Sequence, residues 1–315
     1  MSKIVVTGSA GFIGGQVVLN LLDAGHEVIG VDLQPMQYEV ETNYQFLLEN
    51  FASDTVLDTI VKFQPDAIVH CAGTSLVGPS MTSPQLYYRN NVVNTIKLLD
   101  IVIEKLRGTR VIFSSSAATY GEPIMTPCQE VDPCEPISPY GESKLMIERI
   151  MRDYHRAYNL DYVAFRFFNA CGADSQARHG QTYGATHVIA RVLEATRDNG
   201  NFIIYGDDYP TADGTCVRDY VHVEDIARAH ALALNRAIPA GVYNLGSDTG
   251  TSVKEIINKA QTIVGKTPNI SVGASRDGDP PILTASADKF QTLAGAWRQY
   301  QLDDMIQHAW AWYNK

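Results

Sequence analysis

The sequence predicts an α/β protein built on a doubly wound, parallel β-sheet. Three observations support this fold class: short β-branched runs alternate with amphipathic stretches, a glycine-rich turn follows the first run, and polar residues follow several later runs. Strands that alternate with helices pair in parallel, because each helix carries the chain back to the start of the next strand. Ligands of such sheets bind beyond the carboxyl ends of the strands, so we expect the functional site at that edge.

The first strand, residues 3–7, leads into a turn with three glycines and then into a helix that ends near residue 24. Glycines at this place let backbone N–H groups approach a pyrophosphate, and the start of the helix attracts its negative charge. The pattern predicts a Rossmann-type dinucleotide site formed by Gly8, Gly11, Phe12, Ile13 and Gly14.

An acidic residue then discriminates between dinucleotides. The second strand, residues 26–31, ends at Asp32, near the expected distance of about 20 residues from the turn. A carboxylate there accepts a hydrogen bond from a ribose 2′-hydroxyl and repels a 2′-phosphate. The sequence therefore predicts NAD as the cofactor, in preference to NADP.

The alternation continues to residue 167 and brings further polar residues to the strand ends. The predicted strands cover residues 67–70, 110–113 and 162–167, and the predicted helices cover residues 54–63, 84–106 and 139–158. The carboxyl ends of these strands therefore carry the loop 71–75, the serines 114–116, Phe168 and Asn169. These residues are candidates for ligand contacts.

After residue 170 the alternation loosens. We predict helices over residues 186–196 and 224–235, strands over residues 201–205 and 217–223, and a turn-rich loop over residues 207–215. Ser252 and Glu255 have capping-box spacing, which predicts the start of another helix. We expect an NAD-binding domain over residues 1–170 and a smaller α/β substrate domain over residues 171–315, with the segment near 217–240 packing back on the first domain.

A tyrosine and a lysine stand four residues apart after a proline. Pro139 suits the first turn of a helix, so Tyr140 and Lys144 lie one turn apart on one helix face. An ammonium near a phenol lowers the phenol pKa from about 10 toward neutrality, which makes Tyr140 a candidate general base or acid. The alternative is a solvated pair on a helix surface.

Composition limits the classes of function. The 315 residues are 45% hydrophobic and 19% charged, and the formal charge of -10 argues against nucleic acid or an anionic membrane as a partner. No apolar run approaches the roughly 20 residues of a membrane span, and residues 1–6 leave no room for a signal peptide, so we expect a cytoplasmic protein. Five scattered cysteines without CxxC spacing predict reduced thiols and no metal site.

Five segments together resemble one enzyme family. They cover residues 7–14, 87–92, 113–121, 168–173 and 208–223, and the resemblance extends over nearly the whole chain. The chain resembles the extended short-chain dehydrogenase/reductase family and, within it, the 4-epimerases that interconvert UDP-glucose and UDP-galactose. The last segment discriminates best, because the glycine turn and the Tyr/Lys pair are shared across the superfamily.

The resemblance implies a catalytic set of Ser116, Tyr140 and Lys144. Tyr140 takes a proton from the sugar 4-hydroxyl, Ser116 hydrogen-bonds that oxygen, and C4 gives a hydride to NAD. Lys144 binds the nicotinamide ribose and keeps Tyr140 acidic, and the 4-keto sugar turns over before the hydride returns to its opposite face. Dehydratases and decarboxylases of this fold need an extra acid beside the serine. Here Ala117 and Ala118 follow Ser116, which favours epimerisation.

The resemblance also implies binding residues, carried over position by position. The implied NAD contacts are Gly8, Gly11, Phe12, Ile13, Gly14, Asp32, Asn50, Phe51, Cys71, Ala72, Gly73, Asn91, Ser114, Tyr140, Lys144 and Phe168. The implied UDP-sugar contacts are Ser116, Asn169, His187, Val188, Ile203, Ile204, Tyr205, Arg218, Arg276, Asp279 and Leu283. Arg218 and Arg276 also suit a diphosphate by their charge, although Arg218 and Asp219 are alternatively an internal ion pair.

The chain departs from the family pattern at several positions. Ser75 stands where many relatives have lysine, Glu49 and Asn50 replace a usual Gly-Asp pair, and Phe167 replaces a tyrosine. Leu283 occupies the position whose bulk limits the sugar C2 substituent. Leucine is smaller than the tyrosine of some relatives, so UDP-GlcNAc/UDP-GalNAc and UDP-pentoses stay open as substrates.

Other functions and an oligomeric state complete the expectations. An NAD-dependent nucleotide-sugar reductase would turn over NAD(H) stoichiometrically, and an NAD-sensing binding protein could keep the fold without catalysis, although such proteins usually lose the catalytic set. The family implies a homodimer through helices near residues 91–106 and 143–158. Ile96, Leu99 and Ile103 form a helical stripe that suits either an interface or the core.

Overall fold

The structure is a computed structural model that describes residues 1–40, 42–275 and 280–315. Its strands are β1 (Lys3–Thr7), β2 (Glu27–Asp32), β3 (Tyr44–Leu48), β4 (Ala67–His70), β5 (Arg110–Ser114), β6 (Tyr162–Phe167), β7 (Asn169–Cys171), β8 (Asn201–Tyr205), β9 (Val217–Arg218), β10 (Tyr220–His222), β11 (Gly241–Leu245), β12 (Thr251–Ser252), β13 (Asn269–Gly273) and β14 (Ile282–Leu283). Its helices are α1 (Phe12–Asp23), α2 (Asp54–Phe63), α3 (Val77–Thr82), α4 (Pro84–Tyr87), α5 (Asn94–Lys105), α6 (Pro139–Tyr158), α7 (Val188–Arg197), α8 (Val223–Leu232), α9 (Val253–Val264), α10 (Asp288–Ala294) and α11 (Leu302–Tyr313).

Seven parallel strands form the central sheet, in the order β11-β6-β5-β4-β1-β2-β3. The first strand, β1, pairs with both β2 and β4, so the order of strands reverses there. A crevice opens at the carboxyl ends of the strands where the order reverses, and ligands bind in it. The predicted doubly wound parallel sheet is confirmed.

Helices cover both faces of this sheet. Along β1, Ile4 and Val6 point into one buried cluster and Val5 points into another, because successive side chains of a strand point to opposite faces. Side chains of α1 and α8 fill the first cluster, and side chains of α2, α5 and α6 fill the second. Burial on both faces explains why these strands are continuous apolar runs.

A smaller α/β part follows in the C-terminal half. Its buried cluster combines α7, α9 and α11 with β8, which pairs in parallel with β13. Helix α8 instead packs on α1, and β11 joins the edge of the main sheet beside β6. The domain boundary at residue 170 stays a prediction. Within the described ranges, no helix is long and apolar enough to cross a membrane.

Several elements differ from the predicted ones. Helix α3 lies between the predicted helices 54–63 and 84–106, where no helix was expected, and the helix predicted over residues 84–106 contains a π-helical turn, Tyr88–Val93. Such turns widen a helix locally and occur often at functional sites. The prediction also contains no counterpart of β3, β13 or α11. Ser252 does cap α9 as expected, because its hydroxyl accepts a hydrogen bond from the Glu255 N–H at 3.0 Å.

Candidate active site

The turn after β1 requires glycine at positions 8 and 14. Gly8 has a φ of +74°, and a Cβ there would lie 2.6 Å from the Ala72 nitrogen. A Cβ on Gly14 would lie 2.7 Å from the Gly8 carbonyl carbon and would overlap the Gly8 oxygen. The absence of these side chains lets α1 start directly against the turn and the loop after β4.

The start of α1 leaves its backbone N–H groups without a side-chain cap. Gly11 is the N-cap residue and makes no side-chain hydrogen bond, and the first turn contains no acidic residue. Phe12 and Ile13 begin the helix. Uncapped N–H groups and the positive end of the helix dipole attract an anion, so the turn fits a pyrophosphate.

Asp32 is anchored beside this turn at the end of β2. Its Oδ2 accepts a hydrogen bond from the Ala10 N–H at 3.0 Å, and its Oδ1 accepts one from the Gln34 N–H at 2.9 Å. A carboxylate oxygen accepts more than one hydrogen bond, so both oxygens can still accept from a ribose. The uncapped glycine turn and the fixed carboxylate together fit the pyrophosphate and ribose of NAD.

The predicted adenine-side residues follow β3. The Asn50 Oδ1 accepts a hydrogen bond from the Ala52 N–H at 2.9 Å, which leaves its amide N–H groups for a ligand. Phe51 is buried, and its ring meets the ring of His70 edge-on at 4.9 Å. The Phe51 side chain therefore belongs to the core as well as to the border of the site.

Asn91, in the π-helical turn, ties the loop after β4 to α6. Its Oδ1 accepts from the Thr74 N–H at 2.8 Å, and its Nδ2 donates to the Ser143 hydroxyl at 2.9 Å. Gly73 has a φ of +153° and packs against the Asn91 amide. Asn91 thus ties the loop that carries Cys71, Ala72 and Gly73 to α6.

Ser116 and Tyr140 are brought together by the start of α6. The Ser138 hydroxyl caps this helix by accepting from the Gly141 N–H at 3.1 Å. A Cβ on Gly141 would lie 3.0 Å from the Ala118 carbonyl carbon, so the helix packs directly on the 3₁₀ turn Ala117–Thr119. As a result the Ser116 hydroxyl lies beside the buried Tyr140 phenol, close enough to lower its pKa.

Lys144 lies one turn further along α6 and is buried. Its Nζ donates to the Ser114 carbonyl oxygen at 2.8 Å and lies 5.9 Å from the centroid of the Tyr140 ring. Burial lowers the Lys144 pKa to about 8, against the opposing charges of Cys71 and Glu148. Tyr140 and Lys144 are therefore not a solvated surface pair.

The prediction that Lys144 lowers the Tyr140 pKa is wrong. Burial raises the Tyr140 pKa above its ordinary value, the hydrogen bond with Ser116 lowers it, and nearby Tyr87 raises it. The physical reason is that burial strips the phenolate of hydration, while the Lys144 ammonium is directed at the Ser114 carbonyl.

The expected sugar-side residues border Ser116. Phe168 and Leu283 join a small apolar cluster with Ala117, and Leu283 pairs with Arg218 across β14 and β9. The Asn169 Nδ2 donates to the Asp219 carbonyl oxygen at 2.7 Å. This arrangement places Phe168 and Leu283 against Ala117, the residue after Ser116.

Asp219 has partners that hold its carboxylate inside the protein. Its Oδ1 accepts from the Ser247 N–H at 2.6 Å, and its Oδ2 accepts from the Ala285 N–H at 3.1 Å. Burial raises the Asp219 pKa to about 6, and the bonds from Ser247 and Ala285 oppose this shift. Its role is to join β9 to the loops around β14.

The strand β8 presents only two of its three predicted contact residues. Ile203 and Tyr205 are exposed, whereas Ile204 is buried in the C-terminal core. Successive side chains of a strand point to opposite faces, so the Ile204 backbone is the part of this residue that could face a ligand shared with its neighbours, and its contact stays a prediction. His187 is the N-cap residue of α7, Val188 is its first residue, and burial lowers the His187 pKa.

Two predicted contacts, Arg276 and Asp279, lie outside the described residues. Among residues 1–40, 42–275 and 280–315, no cluster of His, Cys, Asp and Glu side chains suits a metal ion. His70, buried between Thr7 at 2.7 Å and Thr95 at 2.8 Å, is a packed strand-end residue.

The sequence of most of the chain can be assigned to one family. Residues 4–246 match the profile of the NAD dependent epimerase/dehydratase family. The chain belongs to this family. It is also 42% identical to the UDP-glucose 4-epimerase of Halalkalibacterium halodurans, over 99% of this chain and 96% of that protein. The resemblance inferred from sequence segments is confirmed.

Solved structures of epimerases have the same fold as this chain. The UDP-glucose 4-epimerase from Brucella ovis in complex with NAD superimposes with a TM-score of 0.91 at 38% identity, covering 99% of this chain and 98% of that chain. The UDP-glucose-4-epimerase from Stenotrophomonas maltophila with bound NAD and formylated UDP-arabinopyranose has a TM-score of 0.93 at 29% identity, covering 100% and 98%.

The structure adds residues to this family site that the sequence analysis overlooks. The buried Tyr87 ring meets the Tyr140 ring edge-on at 6.4 Å, and its hydroxyl donates to the Leu76 carbonyl oxygen. Glu148 and Arg166 form a buried ion pair behind Lys144. Spacing could have indicated Glu148, since it lies four residues after Lys144 on the same helix face. Tyr87 opens the family segment 87–92, but nothing in the sequence indicated its contact with Tyr140.

Proposed function

We propose that this protein is an NAD-dependent 4-epimerase of UDP-hexoses that interconverts UDP-glucose and UDP-galactose. The observation that carries this proposal is the placement of Ser116 beside the buried Tyr140, with Lys144 one turn away, at the strand ends next to the glycine turn. No carboxylate follows Ser116, since Ala117 and Ala118 come next. Elimination of water from the sugar needs such an acid, so this set favours epimerisation.

In the proposed reaction, the chain supplies proton handling and orientation. When bound, oxidised NAD supplies a hydride acceptor and a positive ring charge. Tyr140 accepts the proton of the sugar 4-hydroxyl at its phenol oxygen and returns it in the second half of the reaction. The Ser116 hydroxyl hydrogen-bonds the same sugar oxygen, so it holds the reacting C4 beside Tyr140.

The electrostatics of the two helix residues fit this division of work. A buried phenol with a raised pKa stays neutral in the chain alone, and it ionises when a cation is brought nearby. Lys144, with a pKa of about 8, keeps its charge at neutral pH. Its ammonium, held by the Ser114 carbonyl, would hold the hydroxyls of the nicotinamide ribose.

The UDP part of the substrate would lie toward the C-terminal domain. Arg218 would supply charge to the diphosphate, and the exposed face of β8, with Ile203 and Tyr205, would lie along the uracil. His187 and Val188, at the start of α7, would complete this side. An anion is also favoured at a helix start, which suits α7 for the diphosphate.

A second substrate class is supported by Leu283. It is half-buried beside Phe168 and Ala117, and a leucine leaves more room than a tyrosine for a C2 substituent. We propose that N-acetylated UDP-hexoses are turned over as well. A relative of the same fold carries a UDP-pentose derivative, which supports the pentose alternative.

Assembly and location belong to the proposal too. We propose a homodimer through α5 and α6. Leu99 is buried in the core, whereas Val93 and Tyr158 are exposed at the two ends of this region and suit an interface. We also propose a cytoplasmic location, supported by the neighbouring cysteines Cys128 and Cys134, which are separate thiols.

The test is direct. Purified, NAD-loaded protein is incubated with UDP-galactose while UDP-glucose and NADH are followed. We expect conversion of the sugar without net formation of NADH. Stoichiometric NADH would support the reductase alternative, and binding of NAD without any conversion of the sugar would support the NAD-sensing alternative and refute the proposal.

A further inference from the structure

A buried ion pair lies directly behind the catalytic helix face. Glu148 follows Lys144 by one turn of α6, and Arg166 reaches it from β6. The Arg166 Nη2 donates to the Glu148 Oε2 at 2.6 Å, and the Arg166 Nε donates to Oε1 at 3.0 Å. The two side chains are only 5% and 4% exposed. Neither residue takes part in the proposed chemistry.

The carboxylate of Glu148 also holds the serine segment. The Ser115 hydroxyl, fully buried, donates to the Glu148 Oε1 at 2.5 Å. Ser115 lies between Ser114, whose carbonyl accepts from the Lys144 ammonium, and Ser116, whose hydroxyl meets Tyr140. A single carboxylate thus fixes the residue between the two contacts of the catalytic pair.

Arg166 anchors the far end of the same segment. Its guanidinium carbon lies 4.8 Å from the centroid of the Tyr120 ring, and the Tyr120 hydroxyl donates to the Asn244 Oδ1 at 2.7 Å. Tyr120 directly follows the 3₁₀ turn that Ser116 begins. A buried ion pair contributes little net stability compared with a well-packed apolar pair. The contacts of the Glu148–Arg166 pair at both ends of residues 115–120 fit a role in fixing the geometry of this segment better than a role in stability.

We propose that Glu148 is a positioning residue that acts through Ser115. By holding Ser115, it keeps the Ser116 hydroxyl beside Tyr140 and the Ser114 carbonyl against Lys144. Arg166 neutralises the charge of the Glu148 carboxylate. The effect on turnover rests on the proposed epimerase function. The effect on the order of the segment does not, because the contacts belong to the chain itself.

The test removes the hydrogen bond between Ser115 and Glu148 and keeps the ion pair between Glu148 and Arg166. Ser115→Ala deletes the hydroxyl that bonds Glu148, and the bonds between Glu148 and Arg166 remain. A misplacement of about 1 Å costs roughly 100-fold in rate. We therefore expect kcat to fall by at least about 10-fold, with KM for UDP-galactose changed by less than about twofold. We also expect faster amide hydrogen exchange in peptides that cover residues 113–120, measured by mass spectrometry.

Thr109→Val is the matched control at the other end of the same strand. The Thr109 hydroxyl is also buried, and it donates to the Pro65 carbonyl oxygen at 2.7 Å. We expect this variant to lose a similar amount of thermal stability. Its kcat and the exchange of residues 113–120 should stay as in the wild type, because Thr109 has no contact with the serine segment.

Two outcomes would overturn the inference: a Ser115→Ala kcat equal to that of Thr109→Val, or unchanged exchange of residues 113–120. If the wild type fails to convert UDP-galactose, the proposed function fails. The exchange measurement needs no substrate, so it then decides the inference by itself.

Discussion

Substitution of Gly14 by alanine tests the dinucleotide site at its tightest point. The new Cβ would lie 2.7 Å from the Gly8 carbonyl carbon and 3.2 Å from the Ser9 Cα, and closer still to the Gly8 oxygen. Ordinary carbon contacts lie at about 3.5–4.0 Å. All three neighbours are backbone atoms, so the turn and α1 must separate by about 1 Å. Overpacking of this kind costs about 1–3 kcal/mol.

The displaced atoms are those that would bind the pyrophosphate, so we expect Gly14→Ala to lose NAD affinity by more than the stability loss alone explains. The assay is thermal unfolding with and without NAD, because a ligand that binds the folded chain raises its melting temperature. Gly200→Ala is the control, since a Cβ there meets its nearest neighbour at 3.8 Å. Equal NAD-induced shifts in Gly14→Ala and wild type would refute the assignment of the turn.

Two further predictions concern pH and specificity. Burial lowers the pKa of His70 and His222 to about 3 and that of His230 to about 4. Between about pH 6.5 and 4 these histidines therefore take up protons in the unfolded chain only, so the free energy of urea unfolding should fall as the pH falls from 7 to 5. A free energy of unfolding that stays constant or increases as the pH falls would contradict this. For specificity, Leu283→Tyr should reduce conversion of UDP-GalNAc by at least about 10-fold relative to UDP-galactose, and an unchanged ratio would remove Leu283 as the determinant.

Local rules predicted the parts of the site that depend on backbone conformation. The glycine turn was predictable because only glycine adopts the φ of Gly8 and tolerates the approach of Gly14 to it. The start of α6 was predictable because Ser138 and Pro139 are favoured cap and first-turn residues, and Ser138 does cap the helix.

Properties that depend on tertiary contacts were not predictable. The spacing of Tyr140 and Lys144 gave the right helix face, but the direction of the ammonium toward Ser114 depends on a strand 30 positions earlier in the chain. Burial of Tyr140, which sets the direction of its pKa shift, depends on the whole packed site. The match of positions at β8 did not show that Ile204 faces the core while Ile203 and Tyr205 face outward, because that alternation is set by packing of the strand.

The missed elements have weak sequence patterns. Strand β3 lies at the edge of the sheet and its side chains are half-buried or exposed, so it lacks the apolar run of the central strands. The π-helical turn at Asn91 interrupts a helix whose apolar periodicity is otherwise continuous. Both features are set by neighbours distant in the sequence.

The central claim is that Tyr140 carries the proton of the sugar 4-hydroxyl, and Tyr140→Phe tests it most directly. The change removes one oxygen from a buried ring that packs against Tyr87, so the fold and NAD binding should persist. The measurement is the rate of UDP-galactose conversion by variant protein whose NAD content matches that of the wild type. General acid–base catalysis contributes about 10²–10⁴-fold, so we predict a loss of that size or more. A variant that converts UDP-galactose at nearly the wild-type rate would contradict the assigned role.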